Sequence, residues 1–200
     1  MTIEIVIASG NKGKLQEINR IINPLGYTGV AQKKLQVTEP EETGLTFVEN
    51  ALIKARNAAK ITGRPALADD SGLEVDALKG QPGIYSSRYA GINASDNDNV
   101  IKLLSELSDI SEPHRTARFQ CVIVYLRHAE DPTPLICQGT WEGRITPQAH
   151  GNNGFGYDPV FFVPTDNRVA AELTAERKNK VSHRGQALMQ LMSQLVKQSV

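Results

Sequence analysis

Charge of one sign is missing from this chain: 22 Lys and Arg balance 22 Asp and Glu over 200 residues. A general nucleic-acid binder carries a basic excess, so that class is excluded, and any bound anion must meet positive charge gathered locally. Cysteine is almost absent. Cys121 and Cys137 lie in apolar, strand-like surroundings without C-x-x-C spacing. That leaves one disulfide or, the reading preferred here, two buried thiols in a reducing compartment. Long apolar runs are missing too, since nothing approaches the roughly 20 residues of a membrane span. The opening Met-Thr-Ile-Glu-Ile-Val-Ile-Ala has no basic segment ahead of its short apolar run, unlike a secretory signal. A soluble, cytoplasmic protein with no membrane or nucleic-acid partner is expected. There is no internal repeat, low-complexity tract or linker. Residues 1–200 therefore read as one domain, folded as two lobes around a cleft.

What is present is an alternation of short apolar runs and helical stripes. Ile3 to Ala8 reads as a strand that ends at Ser9-Gly10-Asn11. Leu15, Ile18, Ile21 and Ile22 then recur at helical spacing until Pro24 and Gly26. This strand-loop-helix unit points to an α/β fold. Thr46-Phe47-Val48-Glu49 has the form of a capping box and opens a helix that ends near Gly63-Arg64-Pro65. Ala66 to Ala68 reads as a short buried strand, Asp69-Asp70-Ser71-Gly72 as an acidic loop, and Leu73 to Val75 as another strand. Ser95 is placed to cap a helix through Leu107. Ala117 to Leu126 is apolar on both faces, as a central strand is, with Leu135 to Ile145 as its hairpin partner. A last helix from Ser182 carries Ala187, Leu188, Leu191, Met192, Leu195 and Val196 as its core stripe.

Several segments carry chemistry-bearing residues. Ser9-Gly10-Asn11-Lys12-Gly13-Lys14 lies between strand and helix, where backbone N–H groups and the helix dipole favour an anion. It is not a Walker A loop, because Leu15 follows Gly13-Lys14. By itself it is equally an ordinary βα turn. Asp69 and Asp70 are adjacent acids at the end of a buried run, expensive unless solvated, capped or metal-bound. Hard oxygen ligands of this kind suit Mg²⁺, and a plain Asp-capped turn is the alternative. Glu41-Glu42 is a weaker acidic pair. Gly151 to Pro159 holds Phe155 and Tyr157 among glycines, which is either a base-stacking platform or a turn tucked into the core. Lys178, His183 and Arg184 surround a helix start, where cations oppose the dipole and so suggest a ligand. Lys54 lies near the apolar side of its helix, snorkelling or reaching a phosphate.

Taken in order, Ser9 to Lys14, Glu41 to Phe47, Leu67 to Leu73, Pro82 to Tyr89, Gly154 to Pro159 and Ser182 to Gly185 resemble the inosine triphosphate pyrophosphatase family, in its bacterial dITP/XTP pyrophosphatase branch. Ser9, where many members have Thr, is the one departure. The resemblance implies a long central mixed sheet flanked by helices, two lobes with a cleft, and a homodimer. It implies hydrolysis of non-standard purine nucleoside triphosphates (dITP, ITP, XTP) to monophosphate and pyrophosphate with Mg²⁺. Carried over by position, Ser9, Gly10, Asn11, Lys12, Gly13 and Lys14 hold the triphosphate, and Lys54 and Ser71 touch phosphate. Asp70 becomes the general base and a metal ligand, with Glu42 and Asp69 beside it. Phe155, Gly156, Tyr157, Asp158, Lys178, His183 and Arg184 take the nucleoside. The donors of the last three match the 6-oxo acceptor of inosine and xanthine. Two rivals stand beside this reading: a hydrolase of modified pyrimidine or methylated nucleotides, and a nucleotide-binding module without catalysis.

Overall fold

The computed structural model describes residues 3–198; Met1 and Thr2, the start of the N-terminal stretch read above, lie outside the described residues. Among the described residues, seven strands form one sheet: β1 (Ile3–Ile7), β2 (Tyr27–Ala31), β3 (Ala66–Val75), β4 (Thr116–Leu126), β5 (Leu135–Ile145), β6 (Phe161–Val163) and β7 (Arg168–Val169). Their order is β2-β1-β3-β4-β5-β6-β7. β1 runs parallel to β2 and β3, whereas β6 runs antiparallel to β5 and β7. The sheet is therefore mixed, as expected of the fold class. The helices are α1 (Lys12–Ile22), α2 (Phe47–Thr62), α3 (Asp96–Glu106), α4 (Ala175–Val181) and α5 (His183–Gln198). No helix among the described residues is long and apolar enough to cross a membrane.

The chain forms two compact units, and β3, β4 and β5 contribute residues to both. The first comprises Met1–Asp70, Cys121–Gly139 and His183–Val200. Within it, alternation along the strands builds two cores. Ile5, Ile7, Leu67, Cys121, Ile123 and Tyr125 point to a face covered by Ile18 and Ile22 of α1 and Leu188 and Leu191 of α5. Val6, Ala8, Ala66, Ala68, Val122 and Val124 point the other way, onto Ala51, Ala55 and Ala58 of α2. The period of two is the cause: one residue's shift changes face. Both caps read from sequence are formed. Thr46 and Glu49 make the capping box of α2, and Gly63 ends that helix in the left-handed region. Cys121 and Cys137 are buried free thiols.

β2 escapes the sequence pattern because it is only five residues long with a glycine at its centre. Gly29 is required there. A Cβ would lie 2.7 Å from Asn19 Oδ1 and 2.8 Å from Ile7 Cγ1, and the Asn19 amide bonds both the N–H and the C=O of Gly29.

The second unit comprises Ser71–Gln120 and Thr140–Ser182. Its core centres on Phe119, Trp141 and Phe161, with ring centroids 4.5 Å apart for the Phe pair and 5.2 Å for Trp141–Phe161. α3 starts on the Ser95–Asp98 capping box. Buried Arg115 donates to the carbonyls of Leu107 and Ile110 just beyond its end, tying down the turn that follows the helix.

Candidate active site

The expected break at Asp69-Asp70-Ser71-Gly72 does not occur. β3 runs unbroken through these residues, with Asp69 1 % and Asp70 7 % exposed. Asp and Gly disfavour strands and suggest a loop; ion pairs from three helices, invisible in local sequence, override that preference.

The pleat sends the two acids to opposite faces. Asp69 follows Leu67 toward α1 and α5, where Lys14 Nζ lies 2.5 Å from Oδ1 and Arg184 Nε 2.8 Å from Oδ2. The Cys121 thiol donates to Oδ2 at 3.0 Å. Arg184 also pairs with Glu17 of α1. Burial works to raise the Asp69 carboxyl, but the Arg184 and Lys14 charges overcome it and hold the group well below the usual carboxylate range. Burial and the Asp69 charge push the Cys121 thiol up, away from thiolate chemistry.

Asp70 follows Ala68 toward α2. Lys54 Nζ lies 2.6 Å from its Oδ1 and 3.0 Å from Glu42 Oε1. Burial raises the Asp70 carboxyl, against the charges of Lys54 and Lys14. Lys54 is desolvated too, yet the charges of Asp70 and Glu42 keep its ammonium strongly protonated. Glu42 is positioned by the turn that follows it. Gly44 N–H donates to Oδ1 of buried Asn50 at 2.9 Å, and a Cβ on Gly44 would meet that oxygen at 2.7 Å.

The three acids thus do not form one cluster. Glu42 and Asp70 share Lys54, while Asp69 faces the other side of the sheet, in ion pairs with Lys14 and Arg184. No group of three or more His, Cys, Asp or Glu placed to hold a metal occurs among the described residues. The remaining donor set, two carboxylates already gathered on one cation, fits a Mg²⁺ that shares its shell with substrate phosphates.

The loop from Ser9 to Lys14 enters α1 through Asn11, whose side chain accepts from Lys14 N–H at 3.0 Å. Asn11 N–H in turn donates to Ser9 Oγ at 3.2 Å. Lys12 is exposed and Lys14 is anchored on Asp69. Gly10 packs closely: a Cβ there would sit 2.3 Å from a Glu39 carboxylate oxygen.

In the second unit Gly154 and Gly156 take left-handed backbone, with φ of +80° and +62°. A Cβ on Gly154 would lie 2.0 Å from Asp158 Oδ2. That same oxygen accepts from Phe155 N–H at 2.9 Å and from Lys178 Nζ at 2.5 Å. The Lys178 ammonium stands 4.7 Å from the Phe155 ring centroid, a cation–π distance. Tyr157 is buried and donates its hydroxyl to Ser86 O at 2.8 Å, so it anchors the loop. Phe155 and Gly156 remain partly accessible, and Ser71, next to Asp70, is half-buried.

Lys178 serves Asp158 and Phe155, whereas the Arg184 guanidinium is committed to Asp69 and Glu17. These ion pairs give the cation at the start of α5 a structural partner in the ligand-free chain. His183 is buried at the first position of α5, beneath Gly139, whose Cβ would fall 2.0 Å from His183 O. Glu17 was missed; its one signal is its place one turn after Lys14 on α1.

Residues 5–194 match the model of the Ham1 family. The chain belongs to that family. It is 59 % identical over 192 residues to a dITP/XTP pyrophosphatase of Salmonella typhi, covering 96 % of this chain and 98 % of that one. A dITP/XTP pyrophosphatase of Vibrio parahaemolyticus is 57 % identical over 196 residues, 98 % of each chain. Among solved structures, a Ham1 protein from Coxiella burnetii is 52 % identical with a TM-score of 0.89, covering 98 % of this chain and all of that one. A dITP/XTP pyrophosphatase from Mycobacterium abscessus is 43 % identical with a TM-score of 0.73, covering 94 % and 98 %.

Proposed function

We propose that this Ham1 chain hydrolyses the non-standard purine nucleoside triphosphates dITP, ITP and XTP to the monophosphate and pyrophosphate, in the cytoplasm, as a homodimer. The observation that carries the chemistry is Asp70: a buried carboxylate with a raised pKa, fixed by Lys54 beside Glu42. A base of this kind accepts a proton better than an ordinary aspartate does. Relatives 57–59 % identical over 96–98 % of this chain bear the name of that activity.

In the reaction a water oxygen attacks the α-phosphorus and gives its proton to Asp70. The bond between α-phosphorus and the bridging oxygen breaks, and pyrophosphate leaves with that electron pair. The loop Ser9 to Lys14 holds phosphate oxygens through backbone N–H groups and the Lys12 and Lys14 charges. Lys54 and Ser71 steady the phosphate nearest Asp70. Glu42 and Asp70 would hold Mg²⁺, which when bound supplies charge neutralisation on the leaving group. Phe155 offers the purine a stacking face, on a loop fixed by Asp158 and Lys178.

The test is pyrophosphate release from dITP, ITP, XTP, GTP, ATP and TTP by purified protein. Preferred turnover of dITP, ITP and XTP with pyrophosphate as product is expected. Release of orthophosphate, or preference for ATP or TTP, overturns the reading.

A further inference from the structure

We propose that Asp96 is a positioning residue for purine binding, setting the direction of the Phe155 ring from outside the glycine-rich loop; this rests on the reading of Phe155 as the base platform. Asp96 is the first residue of α3, and its Oδ2 accepts from Gly156 N–H at 2.7 Å, across 60 residues of sequence. The N–H one residue earlier, of Phe155, donates to Asp158 at 2.9 Å. These two N–H groups belong to the two peptide planes that flank the Phe155 Cα. With each plane pinned by a carboxylate, φ and ψ of Phe155 are fixed, and with them the Cα–Cβ direction.

The loop needs such pins. Gly151, Gly154 and Gly156 all hold positive φ, and Asn152 and Asn153 lie between them, a composition with high conformational entropy when unrestrained. Asp158 supplies one restraint from within the loop. Asp96 supplies another from a rigid helix, itself held by the Ser95–Asp98 capping box and by Asn99, which accepts from Ala90 N–H. Asp96 also has a structural alternative, as an acid in the first turn of a helix, where charge alone favours the dipole. The two roles separate cleanly. Positioning needs an acceptor at Gly156, which Asn keeps; the dipole role needs the charge, which Asn loses.

Steady-state kinetics with ITP and dITP on Asp96→Ala, Asp96→Asn, Phe155→Ala and Asp96→Ala/Phe155→Ala, alongside their melting temperatures, tests the assignment. Asp96→Ala is expected to raise KM about tenfold with kcat within about twofold. Asp96→Asn should keep KM within about twofold of the parent. On the Phe155→Ala background, loss of Asp96 should add nothing, as for two residues acting through one contact. The inference is overturned alone if Phe155→Ala raises KM and Asp96→Ala does not. It is also overturned if Asp96→Asn is as impaired as Asp96→Ala with a matching fall in melting temperature, or if the Asp96 effect persists undiminished without Phe155. Unchanged KM in Phe155→Ala itself would overturn the platform reading and this inference with it.

Discussion

Replacing Arg184 by Ala separates two roles for this residue. Arg184 is 2 % and Asp69 1 % exposed, and the guanidinium bridges Asp69 and Glu17. Breaking a buried pair typically costs about 3–5 kcal/mol, because a charge is left uncompensated in low dielectric. Lys14 remains 2.5 Å from Asp69, so the low end, about 3 kcal/mol, is expected. For a chain of this size that corresponds to a fall of roughly 6–12 °C in melting temperature. The loss depends on pH in a defined direction. Asp69 is depressed in the folded state, so its stabilisation is fully present above the unfolded value of about 3.9. It disappears as pH falls through the lower folded value. The gap between parent and mutant should therefore be widest near neutrality and close in strong acid. Thermal melts at several pH values measure this, and ITP and ATP kinetics at a permissive temperature measure selectivity. Activity on both should fall together. A melting temperature within about 2 °C of the parent would refute the stabilising role of the ion pairs, and a selective loss on ITP with ATP untouched would assign Arg184 to base reading.

Asp70→Asn should lower kcat by about 10²–10⁴ while the melting curve stays cooperative; more than a tenth of parental turnover would show that another group takes the proton. Because burial raises Asp70, the acid limb of kcat/KM in the parent should lie above the ordinary aspartate value of 3.8, with activity falling as pH drops through it. Activity should require Mg²⁺, and Glu42→Gln should raise the Mg²⁺ concentration needed for half-maximal rate; undiminished turnover in excess EDTA would exclude the metal. Gly154→Ala, which puts a methyl 2.0 Å from Asp158 Oδ2 at a φ of +80°, should destabilise by about 1–3 kcal/mol and raise KM for purines; wild-type KM and melting temperature would show that the loop relaxes freely.

Elements with a strong local signature were legible in the sequence. The Thr46–Glu49 box, the Ser95 cap, the apolar β4 and the stripe of α5 from Ala187 to Leu195 each state their structure within a dozen residues; Val196, read as part of that stripe, is exposed instead. What escaped was set by distant partners. β6 and β7 are three and two residues long, too short to show a period, and α4 is a seven-residue helix that lies directly before α5. The site divides in the same way. The candidate residues were picked out by their type and order. Which charge meets which was not, since Arg184 reaches Asp69 across 115 positions and Glu17 across 167.

The two adjacent aspartates show why that second kind of information matters for mechanism. In composition they are equal, and as a loop they would titrate alike. Placed in a strand they face opposite sides, and each side carries a different helix set. Asp69 meets a guanidinium, an ammonium and a thiol, and is locked as an anion. Asp70 pairs directly with one ammonium, Lys54, which it shares with Glu42; with the more distant Lys14 charge this is too little to offset its burial, and it keeps its basicity. Environments that push two carboxylates apart are how one site obtains a fixed countercharge and a proton acceptor from the same side chain. The division depends on register. A one-residue slip of β3 would exchange the faces, putting Asp69 against Lys54 and Asp70 against Arg184. With Asp70 as the proposed base, continuity of β3 through Asp69 and Asp70 would be a catalytic requirement as well as a structural one.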